Sequence, residues 1–449
     1  MPNRVTTNPS DPEIAASDRL WARGDGLIPG GTQTLAKGPG QFVRGVAPKY
    51  LRRGKGARVW DVDGNEYLDC SMGVGPLILG YCWPAVDAAI RMQMEDGITF
   101  SLMHPLEVEL AEQLRALLPG AESVRFSKTG ADVTSAAIRL ARAYTGRSRV
   151  LCCGYHGWHD WYIAVTDRHR GIPEATAELS HTFGYNDLPS FDEALDGDVA
   201  AVILEPVTFE EPQGGFLEYL RERCRANGTL LIFDEMWTGF RLALGGAAAH
   251  YGITPDLATY SKAVANGMPL AVLAGRADVM SLLDRDVFFY TTFGGEALSL
   301  AAAAATLREL ERLQVPARLA EVGSRIREGI TRLAVGHGAD GFVRVIGPAC
   351  RTQVVFDPSA GPPLELKSLA QQELIRRGVL WSGTHNVCYA LTDADADYLL
   401  GAWDEVLQIL AAAVTGGQVR QSLRGEPVEP VFRRTSNFNL KPRAAASAT

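Results

Sequence analysis

The sequence is short of the features that mark a secreted, membrane-spanning or nucleic-acid-binding protein. No apolar run is long enough to cross a bilayer, and the five alanines at 301–305 are too few and too weakly apolar to begin one. The opening MPNRVTTNPSDPE lacks the apolar stretch of a secretory leader, so a cytoplasmic protein is expected. Cysteine is scarce and unpatterned. There are seven, an odd number, with no C-x-x-C, which argues against a disulfide framework and leaves most of them as small buried hydrophobes. Positive charge is in deficit: 44 Lys and Arg face 52 acids, a formal net charge of −8 that argues against a general nucleic-acid binder. There is no G-x-S-x-G nucleophile elbow and no Walker A loop. GPGQFVRG (38–45) is glycine-rich but lacks the strand before it and the helix after it that dinucleotide binding needs. His156 and His159 stand close together, but no Cys or acid cluster completes a metal site.

What is present reads as a globular enzyme. Apolar residues make up 46% and charged residues 21% of 449, too long a chain for one simple core, so two or three lobes are expected. The first twenty or so residues are polar and predict a loose lead-in. RVWDVDGNEYLD (58–69) alternates around Asp63-Gly64 and predicts a β-hairpin. Between about 84 and 315, strands alternate with helices. The strands are SVRFS (123–127), RVLCC (149–153), VAAVIL (199–204), LLIFD (230–234) and LAVLAG (270–275); the helices include one opened by Gly130 and one over 215–228 stopped by Asn-Gly. That alternation predicts an α/β layer fold with a mostly parallel sheet and ligands at the strands' carboxyl ends. Strands near 342–356 and helices at about 364–378 and 393–414 predict a smaller α/β lobe. Expected boundaries are 1–75 for an N-terminal segment packing with the small domain, 76–315 for the large domain and 316–449 for the small one. A polar tail from about 415 is expected to be disordered, with Phe432 and Phe438 as residues that could dock.

Five segments carry chemistry. LLIFDEMWTGFR ends a hydrophobic strand in Asp234 and Glu235, where an acid faces a ligand. YSKAVANGMPL sets Lys262 28 residues after Asp234, room for one connecting segment back to the same edge. A pyridoxal phosphate enzyme needs that pair: an amine to join the cofactor and move a proton, and an acid to hold the pyridine nitrogen protonated. Singly, a turn-capping Asp234 and a solvated Lys262 are equally good readings; the case rests on the combination. In FSKTGADVTSAAIRLARAYTG, backbone N–H groups of Thr129, Gly130 and Ala131 can face an anion at a helix N-terminus. GYHGWHDWY offers Tyr155 to lie on a flat ring, with His156 beside it, while Trp158 and Trp161 are read as packing. In YTTFGGEALSLAAA the Thr292 hydroxyl can bind a phosphate.

With these segments in place, the sequence resembles the class III, fold type I pyridoxal phosphate aminotransferases, in the branch that holds glutamate-1-semialdehyde 2,1-aminomutase. The motifs IPGGTQT, VWDVDGNEYLD, SKTGADVTSAAIRLARAYTG, GYHGWHD, ILEPV, LLIFDEMWTGFR, SKAVANGMPL and TFGGEALSLAAA carry it in order, from about Leu27 to Leu410. The resemblance implies pyridoxal 5′-phosphate as cofactor and a mostly parallel sheet with helices on both faces. Lys262 would be the Schiff-base lysine and Asp234 the pyridinium partner. Tyr155 would stack on one ring face and Met236 support the other, with Thr129 and Gly130 on the phosphate. Glu205 would lie near the pocket wall and Glu210 near the cofactor hydroxyl. Thr292 would reach the phosphate of a neighbouring subunit, which implies a homodimer with shared active sites. Three departures stand out: Thr129-Gly130-Ala131 has one hydroxyl fewer than the usual phosphate loop, Trp237 replaces a smaller aliphatic residue, and FGGEALS stands where the aminomutase would have Ser-Gly-Asn, which argues against glutamate 1-semialdehyde as substrate. The Phe-Gly-Gly-Glu variant, with GGTQT and GYHGWHDWY, resembles a subgroup associated with sugars and aminoglycoside antibiotics. The expected activity is therefore amine transfer onto a sugar- or aminoglycoside-type aldehyde or ketone in antibiotic biosynthesis. The alternative is an isomerase, either an epimerase at an amine-bearing carbon or an aminomutase. A non-enzymatic binding protein on the same fold is the third reading, disfavoured by intact Lys262 and Asp234. The expected partners are small amines and carbonyls, with no nucleic acid and no membrane.

Overall fold

The structure is a computed structural model and describes residues 6–8 and 11–430. Two compact units divide the chain, one built from residues up to 83 with 317–430, the other from 84–316. Among the described residues, no helix is long and apolar enough to cross a membrane.

The second unit is built on a seven-stranded sheet. Its order is Ser123–Ser127, Ala271–Gly275, Leu257–Tyr260, Leu230–Asp234, Val199–Leu204, Arg149–Cys153, Ser180–Thr182. Six strands run one way, and Ala271–Gly275 runs antiparallel to both neighbours. Val199–Leu204 and Leu230–Asp234 are buried at every residue, as strands covered on both faces must be. Their continuous apolar runs are the sequence trace of that burial. Because six strands share a direction, their carboxyl ends lie on one edge.

The helix Gly130–Thr145 follows the first of these strands. Thr129 caps it, Asp132 returns the bond to the Thr129 N–H, and a left-handed Gly146 closes it. Val133, Ala137, Ile138, Leu140 and Ala141 form its buried face at the expected helical spacing.

The first unit holds a four-stranded sheet, ordered Leu51–Lys55, Arg58–Asp61, Glu66–Asp69, Val379–Leu380, and a three-stranded antiparallel sheet of Val343–Ile346, Arg351–Phe356 and Thr384–Asn386. The predicted hairpin forms, with Arg58–Asp61 antiparallel to Glu66–Asp69 and Gly64 in the left-handed region. The lead-in is not loose throughout, since Ala15–Gly24 is a helix. Its start is fixed from a distance: the Asp63 carboxylate in the hairpin turn accepts from the N–H of Ala16 (2.5 Å) and Ser17 (2.8 Å). Sequence spacing gives no sign of such a remote cap. The chain after helix Asp393–Thr415 also departs from a loose tail, because Val419 and Val428 are buried and the Val428 N–H donates to the Ser368 hydroxyl. Phe432 and Phe438 lie outside the described residues. Six cysteines are buried and Cys82 is exposed.

Candidate active site

Parallel pairing puts the acid and the lysine on one edge. In the register of the two central strands, Asp234 stands opposite Thr259, so Lys262 comes three residues after its partner and two beyond the end of that strand at Tyr260. Lys262 has a left-handed backbone, φ +39°, a conformation that costs a residue with a Cβ about 1 kcal/mol or more and that collects at functional sites.

Asp234 is fully buried, and so is His156, whose Nδ1 lies 2.7 Å from Asp234 Oδ2. The other carboxylate oxygen accepts from the Met236 N–H at 3.0 Å. The second imidazole nitrogen, Nε2, is 3.2 Å from the Cys153 carbonyl oxygen. Both ring nitrogens therefore face acceptors. The ring stacks near Trp161 and meets Tyr162 edge-on. Nothing local in the sequence joins His156 to Asp234. Their strands are separated in the sheet by Val199–Leu204, and only the strand order brings them together.

Tyr155 precedes this histidine and is 39% exposed at the strand edge, its N–H donating to Glu205 Oε1 at 2.8 Å. Burial of its hydroxyl, with Asp234 and Glu205 nearby, raises its pKa above the ordinary tyrosine value. Glu205 thus sits directly beyond its strand, against Tyr155. Glu210 is exposed further along, within electrostatic reach of Tyr185. Trp161 is buried, but Trp158 is 68% exposed, contrary to the packing expected of it. The turn at Gly157, φ +104°, swings it outward, leaving its ring edge-on to His159.

At the start of helix Gly130–Thr145 the geometry narrows the anion-binding expectation. The Thr129 N–H is taken by Asp132, leaving those of Gly130 and Ala131 with no acceptor among the described residues. A Cβ on Gly130 would lie 2.7 Å from the Met236 sulfur, so the side chain two residues past Asp234 packs against this turn because residue 130 has none. Ala131 is buried against the Gly157 turn. Thr292 is exposed, flanked by exposed Phe288, Tyr290 and Phe293.

Sequence reading gave Glu235 no separate role. It is fully buried and accepts from the Thr238 hydroxyl and from the N–H groups of Ala247 (2.9 Å) and Ala248 (2.8 Å), which anchors the start of helix Gly246–Tyr251. Burial pushes its carboxyl up to about 7. Trp237 is buried, with the Arg241 guanidinium 5.6 Å from its ring centre. Among the described residues no cluster of His, Cys, Asp or Glu could hold a metal.

These residues fit pyridoxal phosphate. Among the described residues Asp234 has no Lys or Arg partner, only His156, so a buried carboxylate at the strand end can take a cationic ring nitrogen. Two open helix N–H groups suit a phosphate.

Residues 43–394 match the class-III aminotransferase family, and the chain belongs to it: it is a pyridoxal phosphate-dependent enzyme of fold type I. It is 36% identical to a 3-aminobutyryl-CoA aminotransferase of Cloacimonas acidaminovorans over 408 residues, 88% of this chain and 97% of the relative. It is 37% identical to a glutamate-1-semialdehyde 2,1-aminomutase of Methanothrix thermoacetophila over 364 residues, 77% of this chain and 83% of that one. The FumI protein of Sphingopyxis sp. MTA144, solved with pyridoxal phosphate, superposes with a TM-score of 0.82 at 30% identity, covering 92% and 98% of the two chains.

Proposed function

We propose that the chain is an aminotransferase that carries the amino group of a small amine to a carbonyl acceptor. The observation that carries this reading is the buried Asp234–His156 pair on the same sheet edge as Lys262. When bound, pyridoxal phosphate supplies the electron sink that makes the amine-bearing carbon of a substrate acidic. Asp234 holds the cofactor's ring nitrogen protonated, and His156 fixes the carboxylate and offsets its burial. Lys262 would hold the cofactor through its Nζ and, once displaced by a substrate amine, that Nζ would be free to move the proton at the amine-bearing carbon. Tyr155 and Met236 would hold the ring between them. The N–H groups of Gly130 and Ala131 receive the phosphate, with the Thr129 hydroxyl at the rim.

Thr292 serves the phosphate of a second copy of the chain, and the enzyme works as a homodimer. Supporting this, exposed Phe288, Tyr290 and Phe293 flank Thr292, and Leu102 and Met103, 80% and 82% exposed, add apolar surface to the same unit. Surface of that kind marks an interaction face. The narrower acceptor, a sugar or aminoglycoside-type carbonyl, rests on the Phe-Gly-Gly-Glu form of the Thr292 segment.

The test is the visible absorption of the purified protein, alone and with amines, one aminoglycoside among them. A band from lysine-linked cofactor that is absent in Lys262→Ala supports the assignment of Lys262; an unchanged band overturns it. Conversion to the pyridoxamine form with release of a carbonyl product supports transamination. The isomerase reading, which the aminomutase relative favours, requires turnover with no second substrate and with solvent deuterium entering the product.

A further inference from the structure

Lys128 stands between the strand Ser123–Ser127 and Thr129, the cap of helix Gly130–Thr145. Its Nζ is 2.6 Å from Glu296 Oε1, and both side chains are mostly buried, at 18% and 11% exposure. Glu296 is itself the cap of helix Ala297–Arg312, accepting from the N–H of Leu298 (2.8 Å) and Ser299 (3.1 Å). One ion pair therefore ties together the starts of two helices. The first start carries Gly130 and Ala131, and the second has its cap, Glu296, four residues after Thr292.

The intervening turn is pressed onto the same strand end. A Cβ on Gly294 would come within 3.0 Å of the Phe126 carbonyl oxygen, and one on Gly295 within 2.7 Å of the Glu107 carboxyl carbon. The Ala297 N–H donates to Ile98 O at 2.9 Å and closes the other side. Capping alone needs only the carboxylate. The lysine adds a second desolvated charge, and burial lowers its pKa despite Glu296. Ion pairs taken out of water add little net stability, yet removing one partner is costly.

We infer that Lys128–Glu296 is a positioning latch, which holds the Thr292 segment against the phosphate loop so that the phosphate contacts a subunit gives its own site and its partner's are set together. The inference rests on the proposed phosphate roles of Gly130, Ala131 and Thr292. It assigns the two charged residues no contact with substrate. Their effect is on the cofactor's phosphate and not on its ring.

Equilibrium binding of pyridoxal phosphate and of phosphate-free pyridoxal to the cofactor-stripped protein separates these cases. Lys128→Met should weaken pyridoxal phosphate about tenfold, as loss of a charge-assisted contact would, and leave pyridoxal binding unchanged. Lys128→Arg should restore most of the affinity. Glu296→Gln, which keeps an acceptor for the helix start, should repeat the Lys128→Met result. Thr292→Val should weaken pyridoxal phosphate in the wild-type background and add little on top of Lys128→Met. Unchanged phosphate affinity in Lys128→Met, with Thr292→Val still harmful, refutes the latch and leaves the phosphate reading standing. Equal weakening of pyridoxal phosphate and pyridoxal shows a merely structural pair and also refutes it. If Thr292→Val changes nothing, the phosphate role of Thr292 fails and the latch falls with it.

Discussion

Asp234→Asn separates the structural work of the acid from its chemical work. The side chain keeps its shape, and the Asn carbonyl can still accept from the Met236 N–H at the Oδ1 position. The new NH2 group would face His156 Nδ1, which lies 2.7 Å from the oxygen it replaces. The histidine can answer by carrying its proton on Nε2, toward the Cys153 carbonyl, and accepting on Nδ1. Every hydrogen bond survives that switch, and only the charge is lost. The melting temperature of the cofactor-free protein should therefore move by no more than a few degrees, since a conserved network costs about 1 kcal/mol or less. Catalysis should suffer far more. A charge-assisted hydrogen bond to the ring nitrogen contributes about 3 kcal/mol, so kcat should fall at least ~100-fold while pyridoxal phosphate still binds. Single-turnover conversion of bound cofactor to its pyridoxamine form, followed by absorbance, measures this directly. A rate within about tenfold of wild type would refute the assigned role of Asp234, and unfolding of the variant would refute the tautomer argument.

Three further outcomes follow from the structure. Gly157→Ala places a Cβ 2.7 Å from that of Ala131 in a backbone with φ +104°, so it should cost roughly 1–3 kcal/mol and weaken pyridoxal phosphate binding by displacing the Ala131 N–H; unaltered affinity would contradict that placement. Glu235, pushed up to about 7 by burial, favours the protonated form in the fold, so its contribution is fullest below about 4.5 and is lost as pH rises through 7. The melting-temperature gap between wild type and Glu235→Gln should narrow between pH 5 and pH 8, and a constant gap counts against this. His385 receives the Trp403 indole N–H on Nε2 and donates from Nδ1 to the Thr352 hydroxyl, and burial pushes it down to about 3. Its contribution is present above about 6.5 and lost as pH falls, roughly 3 kcal/mol by pH 4.5, so His385→Gln should melt with a flatter acid limb than wild type.

Much of the site was legible in local chemistry. The run LLIFD reads as a buried strand because five apolar or strand-ending residues leave no solvated face, and Asp234 at its end is where such a sheet exposes its ligand groups. The helix opened by Gly130 was legible from its apolar spacing, and the capping box of Thr129 and Asp132 that starts it is a structural finding. The histidine partner of Asp234 was not legible, nor was the two-helix anchoring by Lys128 and Glu296. Residues 156 and 234 are 78 apart and residues 128 and 296 are 168 apart, beyond any periodicity.

The sequence by itself determined the main strands and helices of the larger unit, the strand-end acid and lysine, and the cofactor chemistry they imply, because each depends on short-range pattern and residue type. The tertiary structure decided what those residues touch. Strand order placed His156 under Asp234, the antiparallel Ala271–Gly275 kept the phosphate loop on the same edge as Lys262, and the remote Asp63 made a helix of residues 15–24. Burial then set the charges. Asp234 meets His156, while Glu235, one residue along the chain, is held by the Thr238 hydroxyl and two helix N–H groups and is raised by burial.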